Sequence, residues 1–387
     1  MPGRILYVLS DSSADNLRVV DTDSLSGDIQ YAALSYCWGD GLQLKLTSRT
    51  FNEFISGVAI QRFPKTIRDA VHFTRNIGLK WLWVDSLCIL QDCPDDWNRE
   101  SSKMCDVYQN SFLTLAALGG SNSNDGLFAL RDPLVYLPCE LFKTMAGETV
   151  YAGQDASIRL GVGTWPLYQR GWVLQERILS PRTLNFGPYL IWQCRESSLD
   201  EYSILQRSVY NFGVDLSRMF FEVMENKRKF CIPWSEMDNA INDVWGHILA
   251  SYSNAALTFQ SDRLKAISGV ITVIEKHTGW KNMAGLWEPF LWRELLWERD
   301  QSNLGQSTGL SPTWSWISIS GGIMQYPSDE PSEGFFLHPI SSVKEAETIK
   351  PNDSKRDDCQ MSLMCPAFQW ELAEHSSFAI LGEYAST

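Results

Sequence analysis

Residues 81–84, Trp-Leu-Trp-Val, contain no polar position, and the run continues past Asp85 and Ser86 into Leu87, Cys88 and Ile89. A strand with one face in water alternates apolar and polar residues. This one does not, so it has to be covered on both faces, the condition of a strand inside a parallel sheet with helices above and below. Tyr31-Ala32-Ala33-Leu34-Ser35-Tyr36-Cys37 makes the same demand and runs into a glycine turn at Trp38-Gly39-Asp40. Phe112–Ala117 reads as a third strand. Two helical stretches lie between them. One carries Ile67, Ala70, Val71 and Thr74 on a single stripe, with Pro64 at its first turn and Gly78 past its end; the other is marked by Trp97, Met104, Cys105, Val107 and Tyr108. The order strand, helix, strand, helix, strand predicts right-handed crossovers and an α/β fold: a mainly parallel sheet flanked by helices, with strands 31–37 and 81–86 adjacent and central.

The helix expected over Arg170 to Arg182, stopped by Ser180-Pro181, carries an anomaly. Trp172, Gln175, Glu176 and Leu179 fall at i, i+3, i+4 and i+7, so a carboxylate shares the stripe that should bury an indole and a leucine. Burying a charge without a partner is expensive. Glu176 must therefore be paired, protonated or facing a cleft; Arg170 and Arg182 are the candidate partners if its role is structural. A carboxyl at the floor of an open cleft would favour chemistry, and a sealed one would favour a role in the fold.

Composition narrows the function classes. The chain has 387 residues, 44% apolar and 20% charged, which is ordinary for a globular protein with a large core. A formal charge of −13 disfavours nucleic acid and anionic membranes as partners, since a phosphate footprint needs clustered Lys and Arg. Nine cysteines, odd in number and without CxxC pairs, predict neither a disulfide framework nor a metal site. No run of about 18 apolar residues occurs, so a soluble, cytoplasmic protein with no membrane partner is expected. No GxGxxG or GxxxxGK[ST] loop is present, which disfavours hydride transfer on a Rossmann fold and P-loop chemistry.

Residues 4–9 and 17–20 are expected to form an edge hairpin, and Thr183–Phe186 with Leu190–Gln193 another around Gly187-Pro188. Short strands are expected at 149–151 and 157–160. The first domain is taken as 1–200. A mainly helical lobe follows over 201–327, with helices near 236–251, 262–276 and 288–298 and a strand at Thr313–Ile319. Residues 328–387 form a polar tail, partly disordered.

Four blocks resemble the fungal HET (heterokaryon incompatibility) domain: YAALSYCWGD at 31–40, FPKTIRDAV from Phe63, LWVDSLCILQD at 82–92 and YQRGWVLQERILSPRTL at 168–184. Segments at 261–269, 284–287 and 312–316 are similar to the region that follows the domain in many members. The resemblance implies a protein of non-self recognition and programmed cell death after fusion of incompatible hyphae. HET domains are in turn thought to be related to TIR domains, flavodoxin-like α/β folds, some of which cleave NAD⁺ with a glutamate in a helix of the form Trp-Cys-Leu-x-Glu-Leu. Trp172-Val173-Leu174-Gln175-Glu176-Arg177 keeps the Trp, Leu and Glu in register and departs from that form at Val173 and Arg177. Leu34-Ser35-Tyr36 is similar to the first strand of TIR domains.

The resemblance makes Glu176 the catalytic candidate, with Asp85 and Ser35 beside it. Ligands of open α/β sheets bind at the carboxyl ends of the strands, where Ser35, Tyr36, Cys37, Trp38, Gly39, Asp40, Asp85, Ser86 and Cys88 lie. Arg170, Trp172 and Gln175 join them from the helix as substrate-binding candidates, with Trp38 or Trp172 available to stack a base. A nicotinamide–ribose bond breaks through an oxocarbenium-like state, which one carboxylate can stabilise. NAD⁺ or a related nucleotide is then substrate, and no cofactor is required. Two rival readings stand beside this one. One is a stand-alone enzyme of fungal natural-product biosynthesis, a cyclase or lyase turning over a metabolite by acid–base chemistry with Glu176, Asp85, Cys37 or Cys88. The other is a non-catalytic signalling module that self-associates, in which Glu176 only holds the fold.

Overall fold

The computed structural model describes residues 1–9, 15–39, 44–130, 139–152, 165–201, 215–226, 234–300, 305–309, 311–325, 346–349 and 360–363. It packs as two compact units, Met1–Gly279 and Trp280–Thr387.

The first unit opens with a hairpin, β1 (Arg4–Tyr7) and β2 (Asn16–Asp21), followed by β3 (Tyr31–Ser35), α1 (Phe51–Ser56), β4 (Val58–Ala59) and α2 (Lys65–Asn76). Next come β5 (Trp81–Val84), α3 (Asp85–Cys88), α4 (Pro94–Ser101), α5 (Met104–Gln109) and β6 (Leu113–Ala116). A separate two-stranded ribbon, β7 (Cys139–Lys143) with β8 (Thr149–Ala152), precedes α6 (Gly171–Leu179). Then β9 (Arg182–Phe186), β10 (Leu190–Cys194) and β11 (Ser198–Asp200) lead into α7 (Leu216–Asn226), α8 (Trp234–Ser253) and α9 (Ser268–Thr278).

Nine of these strands form one sheet in the order β11-β10-β9-β6-β3-β5-β1-β2-β4. At its centre β5, β3, β6 and β9 run parallel, with Ala33 opposite Trp83 on one side and Thr114 on the other. This is where the uninterrupted apolar runs fall. Every residue of β3 and β6 is buried, and the two faces of β3 feed different clusters: Ala32 and Leu34 pack with Leu82, Val84, Ile67 and Val71, whereas Tyr31 and Ala33 pack with Trp83, Val107 and Tyr108. The strands at 31–35 and 81–84 are adjacent and central, as the missing alternation requires.

Beyond the four parallel strands the expectation of a mainly parallel sheet fails. β1 pairs antiparallel with β5, β2 with β1, β4 with β2, β10 with β9 and β11 with β10, so the sheet is mixed. For β1–β2, β9–β10 and β10–β11 the reason is connection length. Both expected hairpins form, and a hairpin can add only an antiparallel neighbour, whereas parallel strands need a crossover of a dozen or more residues.

The stripe on α2 faces the sheet, with Thr66, Ile67, Ala70, Val71 and Thr74 buried, and Gly78 takes φ +82 just after the helix, where a side chain would be strained. The helix read through Trp97 and Tyr108 is two helices, α4 and α5, broken at Ser102-Lys103. Asp96 and Glu100 of α4 are buried, and Arg4, Arg99 and Lys103 neutralise them. Helices α7, α8 and α9, which include the helical segments expected near 236–251 and 262–276, pack with α6 in the same unit as the sheet. The strand at 149–151 is found within β8, and residues 157–160 lie outside those described.

The second unit is built from short pieces around Trp287 and Trp316. The hairpin β12 (Asn282–Met283) and β13 (Leu286–Trp287) leads to α10 (Leu291–Glu294), and β14 (Glu298–Arg299) pairs with β15 (Ile323–Met324). Thr313–Ile319 is not the expected strand. Ser315 caps a 3₁₀ turn at Trp316–Ser318, and the Trp316 indole N–H donates to the Gly285 carbonyl at 2.9 Å, which turns a period-2 pattern inward without any ladder. The tail at 328–387 lies almost wholly outside the described residues, apart from β16 (Ala346–Ile349) and β17 (Gln360–Leu363). Among the described residues no helix is long and apolar enough to cross a membrane.

Candidate functional site

The carboxyl ends of β3 and β5 and one face of α6 meet at Glu176. α6 starts at Gly171 with Arg170 as its N-cap and ends at Leu179, where the backbone N–H and the hydroxyl of Ser180 both donate to the Glu176 carbonyl, at 3.3 and 2.7 Å. Glu176 is 6% exposed. One carboxyl oxygen, Oε2, is buried without a hydrogen-bond partner, and so is Oγ of Ser35 at the end of β3. Ser35 and the Tyr108 hydroxyl are near enough to stabilise the charged carboxylate, yet no hydrogen bond of normal geometry closes between Ser35 and Glu176; Tyr108 donates instead to the Leu34 carbonyl at 3.2 Å. Burial pushes the Glu176 carboxyl up to about 7, Asp85 adds to the rise, and Ser35, Arg170 and Tyr108 oppose it.

Asp85 begins α3 where β5 ends. Its side chain accepts from the Trp38 indole N–H at 3.1 and 3.0 Å and from the Ser86 backbone N–H at 2.7 Å. Its residue surface is partly exposed, but its carboxyl is enclosed enough that burial raises it to about 6, against the lowering effect of Arg170, Ser86 and Trp38. Two carboxyls therefore titrate near neutrality in one place. The Tyr36 hydroxyl shares a 2.8 Å hydrogen bond with Oγ of Ser86, and burial holds the phenol well above its ordinary range.

Arg170 is the cation of the site. Its charge acts on Tyr36, Cys37, Asp85, Tyr108 and Glu176, though it forms no ion pair within 4 Å among the described residues. Arg182, the other candidate partner for Glu176, donates to the Phe112 carbonyl and lies over the Phe112 ring. The structural ion pair that would make Glu176 unremarkable is thus absent among the described residues. Burial raises the Cys37 thiol, with Arg170 opposing.

The structure brings together Ser35, Tyr36, Cys37, Trp38, Asp85, Ser86, Arg170 and Glu176. Gly39 holds the loop beside them at φ +75, and a Cβ there would come 2.4 Å from Cβ of Asn122. Asp40 lies outside the described residues. Three candidates point elsewhere. Cys88 is packed among Trp83, Met104 and Val107, its thiol driven up to about 12 by burial. Trp172 stacks edge-on against Trp97 with centroids 6.2 Å apart. Gln175 accepts from the Gly269 backbone N–H at 2.7 Å and ties α6 to α9. Sequence reasoning missed Tyr108, whose hydroxyl reaches the site from α5; its apolar-stripe position gave no sign of that.

No curated protein and no solved structure matches this chain. Residues 31–176, which run from the first residue of β3 to Glu176 itself, match the family model described as "Heterokaryon incompatibility protein (HET)". This stretch of the chain is similar to that family.

Proposed function

We propose that this protein hydrolyses the N-glycosidic bond of NAD⁺ or a related nucleotide, and that this activity kills cells in fungal non-self recognition. One observation carries the reading: Glu176, buried, has neither an ion pair nor a hydrogen bond at Oε2 among the described residues, and a second carboxyl, Asp85, lies near enough to act on it. A fold rarely leaves such a group unsatisfied except where a ligand is to meet it. Trp38, Asp85 and Arg170, each partly exposed, are residue types that suit a base, a ribose and a phosphate. In the reaction the electron pair of the glycosidic bond leaves with the base. Glu176 as carboxylate faces the cationic ribose carbon; water adds to that carbon and loses its proton to Glu176 or Asp85. A carboxyl titrating near 7 can hold and release that proton at neutral pH.

The 6% exposure of Glu176 favours a second reading, a self-associating module without chemistry, since substrate would have to part the side chains over it. The two separate on one experiment. Purified full-length protein at high concentration should consume NAD⁺, followed by chromatography of released nicotinamide, and Glu176→Gln should lose on the order of 10²-fold or more while staying folded. A Glu176→Gln protein that folds normally and still kills fungal cells at the wild-type rate removes the catalytic reading.

A further inference from the structure

A cavity of about 420 Å³ lies within the first unit on a different face of α6 from Glu176, where α6 meets α7 and α8. That volume is within the range of small-molecule sites. Val173, Leu174 and Leu216 give it an apolar wall, and Arg177, His247 and Asn254 give it polar points. No carboxylate stands among the described residues that line it, in a chain whose formal charge is −13.

Arg177 is the residue that departs from the apolar position of the TIR-like helix pattern, and its surroundings are unusual. Its guanidinium carbon sits over the Tyr168 ring at 4.5 Å, and Tyr168 is itself fixed by donating to Oδ1 of Asn185 at 2.9 Å. The ring holds the cation without occupying its N–H donors. Arg177 has no carboxylate within 4 Å among the described residues, and its Nε is buried with no hydrogen-bond partner. The one acid whose charge reaches Tyr168, Asp215, does not line the cavity and caps the Arg218 N–H at 3.1 Å. A guanidinium that is oriented, unpaired and next to an apolar hollow lacks one thing, an anion with an apolar body.

We infer that this cavity is a second ligand site, separate from Glu176, that takes a small organic monoanion: its carboxylate on Arg177, its aromatic or branched body against Val173, Leu174 and Leu216. The inference does not rest on the hydrolytic reading, since none of the residues lining the cavity is among the groups that act on the Glu176 carboxyl, Ser35, Asp85, Arg170 and Tyr108. Such a ligand would brace α6 against α7 and α8.

Titration calorimetry of the full-length protein with benzoate, and with benzamide as its uncharged counterpart, tests the site. Benzoate should bind with a Kd of about 10 mM or tighter and at least tenfold more tightly than benzamide. Arg177→Gln should weaken benzoate at least tenfold and leave benzamide unchanged. Ala250→Trp, which keeps the charge and fills the hollow from α8, should abolish binding of both; Ala250 is exposed on its helix, so this variant keeps the fold even if loss of Arg177 does not. Equal affinity for benzoate and benzamide, benzoate binding that survives Ala250→Trp, or no binding of benzoate by about 10 mM would overturn the inference.

Discussion

The indole N–H of Trp38 donates to both carboxyl oxygens of Asp85, at 3.1 and 3.0 Å, and so ties the loop after β3 to the start of α3. The bond favours the charged carboxylate against burial, which holds Asp85 at about 6. Trp38→Phe keeps a ring but removes the donor. The Asp85 carboxyl should then titrate at still higher pH in a carbon-13 NMR titration, and chemical denaturation at neutral pH should show a loss of about 1–3 kcal/mol. An unchanged Asp85 titration would mean the indole does not hold it.

Stability should also report Glu176 directly. Its folded pKa, about 7, lies above the unfolded value of a glutamate, so between these two values the folded state binds more protons than the unfolded state. Unfolding free energy therefore falls as pH rises through that window, and the stabilising contribution of the protonated carboxyl is complete at low pH and gone above about 7. Asp85 acts in the same direction up to about 6. Glu176→Gln has no charge to bury. Relative to wild type it should gain on the order of 1–3 kcal/mol between pH 5 and pH 8 in urea denaturation. A structural ion pair predicts the reverse, with Glu176→Gln most costly at pH 8.

Trp172 packs edge-on against Trp97, 6.2 Å between centroids, and Lys265 lies over the Trp97 ring at 5.2 Å. Its position is structural but only partly buried. Trp172→Ala should cost about 2–3 kcal/mol, below the 3–5 kcal/mol of a fully buried tryptophan, with no change in ligand affinity at Glu176. A loss under about 1 kcal/mol would place the indole outside the core.

Gly39 has φ +75, and Cβ of Asn122 lies 2.4 Å from where its own Cβ would stand. Gly39→Ala should destabilise by about 1–3 kcal/mol and shift the Trp38 indole N–H resonance, because Trp38 is the neighbour whose carbonyl receives the Ser123 N–H. An Ala variant as stable as wild type would show that the turn can be remade without strain.

The central strands were readable from residues alone because uninterrupted Ala, Leu, Trp and Val runs at 31–35 and 81–84 have only one cheap solution, burial between two helical layers. The order of the outer strands was not, because the hydrophobic pattern of β1, β2, β10 and β11 says which face is covered but not which neighbour a strand takes; short turns decided that, and made those pairs antiparallel. Helical periodicity placed Glu176 on a stripe with Trp172 and Gln175, and it grouped the three as one face. A stripe is about 100° wide or more, and tertiary packing divided it: α4 took Trp172, α9 took Gln175, and the ends of β3 and β5 took Glu176. Sequence thus determined that a carboxylate would have to be buried. Only the folded chain decided that neither Arg170 nor Arg182, though neighbours in sequence, pairs with it, and that Asp85 lies close enough to raise it further, because Asp85 comes from the end of β5, a remote segment whose approach depends on the crossover geometry of the sheet.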